Sequence, residues 1–247
     1  MYNKICVSLS GGVDSMVLLH KVLYEPLFAI KSHEVSAVHI NYNNRPTCAD
    51  EVKFVQEYCH LHNVQLDVEN ISHITRSRDA SRTAYEDETR KIRFDAYARQ
   101  NCPVLLGHNF EDTVENIISN IASKRNLHDL KGMQFQSFEK NVEIIRPLLE
   151  TSKINIYEYA SKHGISHLED STPKWSRRGK LRDHVIPTLN TYEPNFIKGL
   201  LTLTLNLQQN YEHIKNHPDA VVLPQNFLNL KQGLYVTNKA IEASVKK

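Results

Sequence analysis

Runs of aliphatic residues alternate with stretches of helical spacing over residues 1–170. The first run, residues 4–9 (KICVSL), predicts a buried strand, and residues 16–24 predict the helix that follows it. The last predicted helix is expected to begin at a Thr151 cap and to end before Gly164. Between these elements the pattern predicts strands at residues 34–40, 65–69, 104–107 and 141–145, and helices at residues 50–62, 89–100, 112–122 and 151–162.

Strands that alternate with helices need crossover connections, so the pattern predicts a mostly parallel sheet with helices on both faces. We place this α/β domain at residues 1–190. Ligands bind such sheets beyond the carboxyl ends of the strands. The pattern then changes to one long helical stretch at residues 196–214 and two broken apolar stretches within residues 221–236. Residues 191–247 are therefore expected to form a small, mostly helical C-terminal subdomain.

Composition excludes several classes of protein. The 247 residues carry 30 basic and 28 acidic side chains, a net charge of +2, which excludes an acidic solvating tail and a histone-like polycation. No apolar run approaches the ~20 residues that span a bilayer, and the first residues have no signal-peptide pattern. The four cysteines are far apart in sequence, which argues against a disulfide framework and a zinc knot. We expect a soluble, cytoplasmic chain without a membrane partner.

The strongest chemical signal lies between the first predicted strand and helix, at Ser10-Gly11-Gly12-Val13-Asp14-Ser15. Paired glycines allow a tight turn whose N–H groups approach an anion, and the positive end of the following helix points to the same place. An acidic side chain in such a loop is unfavourable unless it meets a cation, so Asp14 indicates a magnesium-bound nucleotide. The loop lacks the Gly-Lys-Ser/Thr ending of a Walker A motif. The alternative is an ordinary strand-to-helix turn with a serine cap.

This hexapeptide resembles the pyrophosphate-binding loop of the PP-loop ATP pyrophosphatases. That group cleaves ATP between its α and β phosphates to adenylate a carbonyl oxygen, and it includes amidating synthetases, tRNA thiolases and tRNA(Ile)-lysidine synthetases. The resemblance implies a Rossmann-like, adenine nucleotide alpha hydrolase-like fold with ATP and Mg²⁺ as cofactors. It implies ATP contacts along Ser10, Gly11, Gly12, Val13, Asp14 and Ser15, with Asp14 as the magnesium ligand.

Further segments between residues 4 and 190 resemble the lysidine synthetases in the same order along the chain. The thiolases share the Gly-His-Asn start at Gly107, but those most like it depend on paired cysteines, whereas the cysteines here are lone. The segments are the strand end at residues 39–43, Thr89-Arg90-Lys91-Ile92-Arg93-Phe94, residues 107–116, Arg146-Pro147-Leu148-Leu149, and the closing residues 169–171, 178–182 and 185–187.

Asp112 and Glu115 stand three residues apart on one predicted helix, beside the end of a strand. Paired carboxylates there suit an ammonium group or a magnesium ion, and the resemblance implies that they recognise free lysine. The alternative is an acidic first turn that stabilises the helix dipole. Arg90 and Arg93 have the same spacing, which suits phosphate oxygens or, as the alternative, a solvated basic face.

One dense basic segment, residues 174–182, also contains the single tryptophan, a mixture that suits RNA backbone and an unstacked base. Charge runs are more often simply solvated. The resemblance implies that Arg178 and Arg182 face the active site. It also implies that the backbone near His39 and Ile40 receives the adenine. His108 follows a predicted strand, a position that suits contact with the nucleotide or, as the alternative, with a loop carbonyl.

The hypothesis is therefore an ATP-dependent ligase that adenylates a tRNA cytidine and joins lysine to it. One alternative is another PP-loop enzyme, either a tRNA thiolase or a small-molecule amidating enzyme. A second is a nucleotide- or RNA-binding relative without turnover, because the family's Arg-Gly-x-Gly stretch reads Arg125-Asn126-Leu127-His128 here. The sequence leaves the oligomeric state open, a homodimer included.

Overall fold

The computed structural model describes residues 2–25, 34–44, 46–71, 82–125, 130, 132–170, 172 and 174–216. The apolar stretches predicted within residues 221–236 lie outside them. The described strands form a six-stranded sheet in the order β3-β2-β1-β4-β6-β5, in which only β5 runs antiparallel to its neighbour. The strands are β1 (Lys4–Ser8), β2 (Glu34–Asn41), β3 (Gln65–Asn70), β4 (Val104–Leu105), β5 (Gln136–Glu139) and β6 (Val142–Ile145).

Helices connect the parallel strands and continue beyond the sheet. They are α1 (Val13–Tyr24), α2 (Cys48–Leu61), α3 (Arg82–Ala98), α4 (Phe110–Ala122), α5 (Lys153–Lys162), α6 (Arg177–Lys180), α7 (Ile186–Tyr192) and α8 (Phe196–Asn216), with a π-helical segment, Leu181–Val185, between α6 and α7. The predicted mostly parallel α/β sheet is confirmed.

Alternate residues of the central strand face opposite layers of the protein. Ile5 and Val7 belong to a buried cluster with residues of α1, α2 and α5, such as Ile156. Cys6 belongs to a second cluster, with Phe94 and Tyr97 of α3. Because each face of the sheet packs against helices, the parallel strands are apolar on both sides, which is why they appear as continuous apolar runs in the sequence.

The sequence pattern did not predict β5 or the helices between residues 177 and 192. β5 is an edge strand that forms a hairpin with β6, and its residues are largely polar. Lys140 and Asn141 make the turn at φ 48° and 65°, without the glycine that usually marks such turns. A hydrophobic pattern therefore detected only the buried partner strand.

The start of α5 also differs from the prediction. Its cap is Ser152, whose Oγ accepts a hydrogen bond from the Asn155 N–H at 3.3 Å, so the Thr151 cap was wrong. Gly164 follows the helix end at φ +62°, as the pattern predicted.

The helix predicted at residues 196–214 is α8, whereas the domain boundary at residue 190 stays a prediction. No helix in the described part of the chain is long and apolar enough to cross a bilayer.

The order of strands places a crevice between β1 and β4. The chain leaves β1 toward β2 and β3 on one side, and it returns to build β4 and β6 on the other. The loops that follow β1 and β4 diverge at such a switch point and leave space between them for a ligand. The Ser10–Ser15 loop and the Gly107–Asn109 segment are these two loops.

Candidate active site

A cavity of about 650 Å³ opens at this switch point. Its walls come from the loops after β1 and β4, from α3, from the start of α5 and from the α6 region. The structure thereby brings together most of the side chains that the sequence singled out, although they are spread from residue 10 to residue 182. Those lining the cavity are Ser10, Gly12, Val13, Asp14, Ser15, Arg90, Arg93, His108, Asp112, Arg178 and Arg182.

Serine hydroxyls hold the Ser10–Ser15 loop in shape. Ser15 Oγ accepts a hydrogen bond from the Ser10 N–H at 3.1 Å and donates one to the Gly12 carbonyl at 3.0 Å. Ser10 Oγ accepts a hydrogen bond from the Gly12 N–H at 3.3 Å. The first turn of α1 is therefore built around a compact loop before any ligand arrives.

Two glycines fit positions that disfavour a larger residue, Gly11 because of its positive φ and Gly107 because backbone atoms approach it closely. Gly11 adopts φ +84°, and a Cβ there would lie 2.8 Å from Leu168 Cδ1. The Leu168 N–H donates to the Gly11 carbonyl at 2.9 Å, which ties the loop to the segment after α5. A Cβ on Gly107 would lie 3.0 Å from both Asp14 C and Ser15 N. Only glycine allows β4 to end this close to the start of α1.

Asp14 is held by two partners. Its Oδ1 accepts a hydrogen bond from Asn109 Nδ2 at 2.9 Å, and its Oδ2 accepts one from Lys153 Nζ at 2.6 Å. Asn109 is also the N-cap of α4, in a capping box with Asp112. Asn109 and Lys153 were not among the predicted site residues. The acidic Asp14 in the predicted loop indicated a nearby cation. It did not indicate that this cation is the Lys153 ammonium group.

The starts of α4 and α5 are bonded to each other beside Asp14. The Phe110 N–H donates to the Thr151 carbonyl at 3.1 Å, and the Lys153 N–H donates to Glu111 Oε2 at 2.9 Å. The N-termini of α1, α4 and α5 therefore meet at one side of the cavity. Their combined dipoles favour an anionic group there.

Asp112 and Glu115 are paired with arginines rather than standing open. Arg178 Nε donates to Glu115 Oε2 at 2.8 Å, and its Nη2 bonds Asp112 Oδ1. Arg182 bonds Glu115 through Nε, and its Nη1 donates to Asp170 Oδ2 at 2.7 Å. Burial disfavours the charge on Arg182, but its hydrogen bond to Glu115 and the surrounding carboxylates raise its pKa. The predicted acidic pair and the predicted arginine pair are thus one ion cluster.

A buried arginine organises the opposite wall. Arg146 donates from Nε to His108 Nδ1 at 3.2 Å and from Nη2 to Glu139 Oε1 at 2.7 Å, and Arg90 reaches Glu139 Oε2 at 2.7 Å. Burial and the neighbouring Arg146 lower the pKa of His108 to about 4, against the opposing charge of Asp112. Burial opposes ionisation of Glu139, but the hydrogen bond and charge of Arg146 lower its pKa overall. His108 is therefore neutral, and its partner is an arginine rather than a loop carbonyl.

His39 does not reach the cavity with its side chain. It is buried, and its Nδ1 lies 2.7 Å from the Leu9 carbonyl, while burial lowers its pKa. Within the described part of the chain, neither His39 nor Ile40 is among the cavity-lining residues. Adenine recognition by the backbone at these positions stays a prediction. Residues 126–129, where the family's glycines are missing, lie outside the described residues.

Asp14 could bind Mg²⁺ together with the phosphates of a nucleotide, as is common in nucleotide-binding enzymes. Mg²⁺ is commonly bound by one or two carboxylates together with substrate phosphates, rather than by a complete protein cage. Across the described residues, no three His, Cys, Asp or Glu side chains form a metal-binding group. One carboxylate that borders an anion-binding loop therefore fits a metal that arrives with its nucleotide.

The family model for the PP-loop domain matches residues 1–189. The chain belongs to the PP-loop family. It is 30% identical over 211 residues to the tRNA(Ile)-lysidine synthase of Neisseria meningitidis serogroup B, a match that covers 83% of this chain and 48% of the relative. It is 27% identical over 191 residues to that of Staphylococcus epidermidis strain RP62A, covering 75% and 44%. This PP-loop chain thus spans about half the length of these curated relatives.

A solved structure shows the same fold. The U34-tRNA thiolase of Methanococcus maripaludis with its [4Fe-4S] cluster superposes with a TM-score of 0.67 at 16% identity, covering 90% of this chain and 82% of the thiolase. At that identity the likeness concerns the fold alone. The predicted PP-loop membership and Rossmann-like fold are confirmed, whereas the roles of the individual site residues stay predictions.

Proposed function

We propose that this chain is the catalytic part of a cytoplasmic ligase of the tRNA(Ile)-lysidine synthetase type, which uses ATP and Mg²⁺ to join lysine to a tRNA cytidine. One observation carries the proposal: the Ser10–Ser15 loop lines the same cavity as four members of the carboxylate–arginine cluster, namely Asp112, Asp170, Arg178 and Arg182. A nucleotide site and a site for a cationic amine are the two parts that such a reaction requires. The names of the similar proteins support the same choice of substrates.

In the first step, ATP would lie with its phosphates at the Ser10–Ser15 loop. The C2 oxygen of the cytidine would form a bond to the α-phosphorus, and the bond from that phosphorus to the bridging oxygen would break to release pyrophosphate. Mg²⁺ on Asp14 would neutralise phosphate charge. Arg90 and Arg93 border the same space and would attract phosphate oxygens from the other side. The protein contributes positioning and charge stabilisation.

In the second step, the ε-amine of lysine would form a bond to C2 and displace AMP, losing a proton to solvent. The ion cluster favours this amine because its charge is unbalanced. In the ion pairs of the described residues, three carboxylates (Asp112, Glu115 and Asp170) share the two guanidinium groups of Arg178 and Arg182. The excess negative charge attracts one further cation of ammonium size.

The α6 region supports contact with RNA. Trp175 is 62% exposed and precedes the cavity-lining residue Arg178 by three positions. Arg177 holds this segment against α4, since its Nη2 donates to the Ser119 carbonyl and to Ser123 Oγ, each at 2.9 Å. Lys174 and Lys180 add positive charge. An exposed aromatic ring among cations suits an unstacked base and its phosphates.

The cysteines argue against the sulfur-transfer alternative. All four are free, and Cys6, Cys48 and Cys59 are buried. Burial raises the pKa of the Cys6 thiol to about 12 and that of Cys59 to about 11, so both stay protonated at neutral pH. Iron–sulfur clusters and sulfur relays need grouped thiolates.

The test is the mass of the tRNA product. We expect bulk tRNA incubated with the chain, ATP, Mg²⁺ and lysine to gain one lysine less one water on a cytidine, with pyrophosphate released. The Asp14→Asn variant is the matched control and should release none.

Parallel reactions separate the alternatives. A product that gains sulfur from an added donor, and no lysine, would identify a thiolase. Pyrophosphate release that depends on a small carboxylate and not on tRNA would identify an amidating enzyme. Nucleotide binding without any pyrophosphate release would identify a relative without turnover.

A further inference from the structure

Lys153 occupies a position that the proposed reaction does not yet explain. Its Nζ lies 2.6 Å from Asp14 Oδ2, and both side chains line the cavity. The pair is half-buried, with about a quarter of each side chain exposed. The only cation bonded to Asp14 within the described residues is this ammonium group.

The backbone of Lys153 is fixed while its side chain lines the cavity. The residue opens α5 directly after the Ser152 cap, and its N–H is held by Glu111 Oε2 at 2.9 Å. The Nζ stands 5.4 Å from the centre of the Tyr157 ring, a weak cation–π distance on the cavity side. A lysine has four rotatable bonds, so its ammonium group can move by several ångströms without any movement of α5.

The charges at this point change when a metal nucleotide binds. Without nucleotide, Lys153 supplies the counter-charge of the Asp14 carboxylate at Oδ2, while Oδ1 accepts the hydrogen bond from Asn109. A magnesium triphosphate brings both a cation for Asp14 and anionic oxygens for an ammonium group. Two cations on one carboxylate oxygen repel each other, so Mg²⁺ at Asp14 favours transfer of the Lys153 ammonium group to the phosphate oxygens.

We propose that Lys153 is an exchange cation: it occupies the metal-binding oxygen of Asp14 in the nucleotide-free protein and transfers to the triphosphate when Mg²⁺ takes its place. The inference rests on the proposed function for its nucleotide. Lys153 thereby has two effects of opposite sign. It opposes binding of a divalent metal alone, and it favours binding of the metal nucleotide.

The opposite signs provide the test. The Lys153→Met variant keeps the length of the side chain and removes its charge. We expect Mn²⁺, titrated without nucleotide and followed by electron paramagnetic resonance, to bind this variant several-fold more tightly than the wild type. We expect α,β-methylene-ATP with Mg²⁺, followed by calorimetry, to bind it about tenfold more weakly, because one charge-assisted hydrogen bond is lost.

Three variants serve as controls. Lys162→Met removes an exposed charge from the last turn of the same helix and should change neither affinity. Lys153→Arg retains a cation and should restore most of the nucleotide affinity. Asp14→Asn should abolish Mn²⁺ binding both in the wild type and in the Lys153→Met variant. This result would show that the Mn²⁺ signal comes from Asp14.

The remaining outcomes overturn the inference in distinguishable ways. If Lys153→Met weakens Mn²⁺ and nucleotide binding together, the residue is merely structural. Unchanged Mn²⁺ affinity would show that the ammonium group does not compete for Asp14. Failure of the wild-type chain to bind the analogue would reject the nucleotide step of the proposed function, and the transfer with it.

Discussion

Arg178 Nε and Glu115 Oε2 are joined by a hydrogen bond of 2.8 Å, although the glutamate side chain is only 4% exposed. Arg182 bonds the other oxygen of the same carboxylate. A buried carboxylate is tolerated only when both oxygens have partners, and here both partners are charged. This pairing holds α6 and the π-helical segment against α4 and closes one wall of the cavity.

Glu115→Gln should therefore destabilise the fold as well as the proposed amine site. We expect the free energy of unfolding to fall by about 2 kcal/mol, less than for a fully buried pair, because Arg178 is half exposed. Urea denaturation measures this change, and lysine binding should be lost in calorimetry. The control is Asp170→Asn, at a carboxylate that is 46% exposed, which should cost less than about 1 kcal/mol. An equal loss of unfolding free energy in the two variants would show that the burial of Glu115 does not make its pairing more important.

Gly107→Ala should push β4 away from the start of α1. The added Cβ would meet backbone atoms of Asp14 and Ser15 at 3.0 Å, and backbone cannot rotate away as a side chain can. We expect a loss of about 1–3 kcal/mol in the free energy of unfolding and weaker nucleotide binding. Gly199→Ala is the matched control, since a Cβ there meets nothing within 4 Å inside α8, and it should stabilise the protein slightly. A Gly107→Ala protein with unaltered nucleotide affinity would contradict the close approach.

Stability should decrease as pH falls from 6.5 to 4. His108 has its pKa lowered to about 4, so the unfolded chain binds this proton more readily than the folded one. The contribution is complete above pH 6.5, is lost as pH falls toward 4, and changes no further below that, for a total of about 3 kcal/mol. Urea denaturation at several pH values measures it. His108→Asn, which keeps an acceptor for Arg146, should flatten this slope, and an unchanged slope would refute the assignment.

Arg146→Lys should be far more costly than an ordinary conservative change. The guanidinium group is buried and donates to His108, Gln134, Ser137 and Glu139, a set that an ammonium group cannot reproduce. We expect a loss of about 2–4 kcal/mol by urea denaturation. Arg99→Lys, at a half-exposed ion pair with Glu69, is the control and should cost less than about 1 kcal/mol. Similar losses at the two sites would show that the network around Arg146 adds little.

Local signals account for what could be predicted about the site. The Ser10–Ser15 loop was recognisable because its glycines, serines and acid stand next to each other between an apolar run and a helical pattern. Asp112 and Glu115 were recognisable because they share one helix face. Arg146 was visible as part of a matching motif, but its partners were not, because Glu139 belongs to the polar edge strand that the hydrophobic pattern missed.

The contacts that determine the charges were not predictable in the same way. Lys153 meets Asp14 across 139 positions of the chain, and Arg178 meets Glu115 across 63. Residues 177–192 carry no clear apolar periodicity, so the pattern did not predict the helices that place Arg178 and Arg182. Their pairing with the acidic residues is visible only in the fold, which places α6 and the π-helical segment beside α4.

By itself the sequence determined the alternation of strands and helices, the position of the Ser10–Ser15 loop and the PP-loop family, because periodicity and turn chemistry act between neighbouring residues. Only the tertiary structure decided which charges neutralise each other: the lysine on Asp14, the arginines on Asp112 and Glu115, and the arginine beside a neutral His108. The physical reason is that Coulomb and hydrogen-bond energies depend on distances of a few ångströms, and the fold sets those distances between segments far apart in the chain.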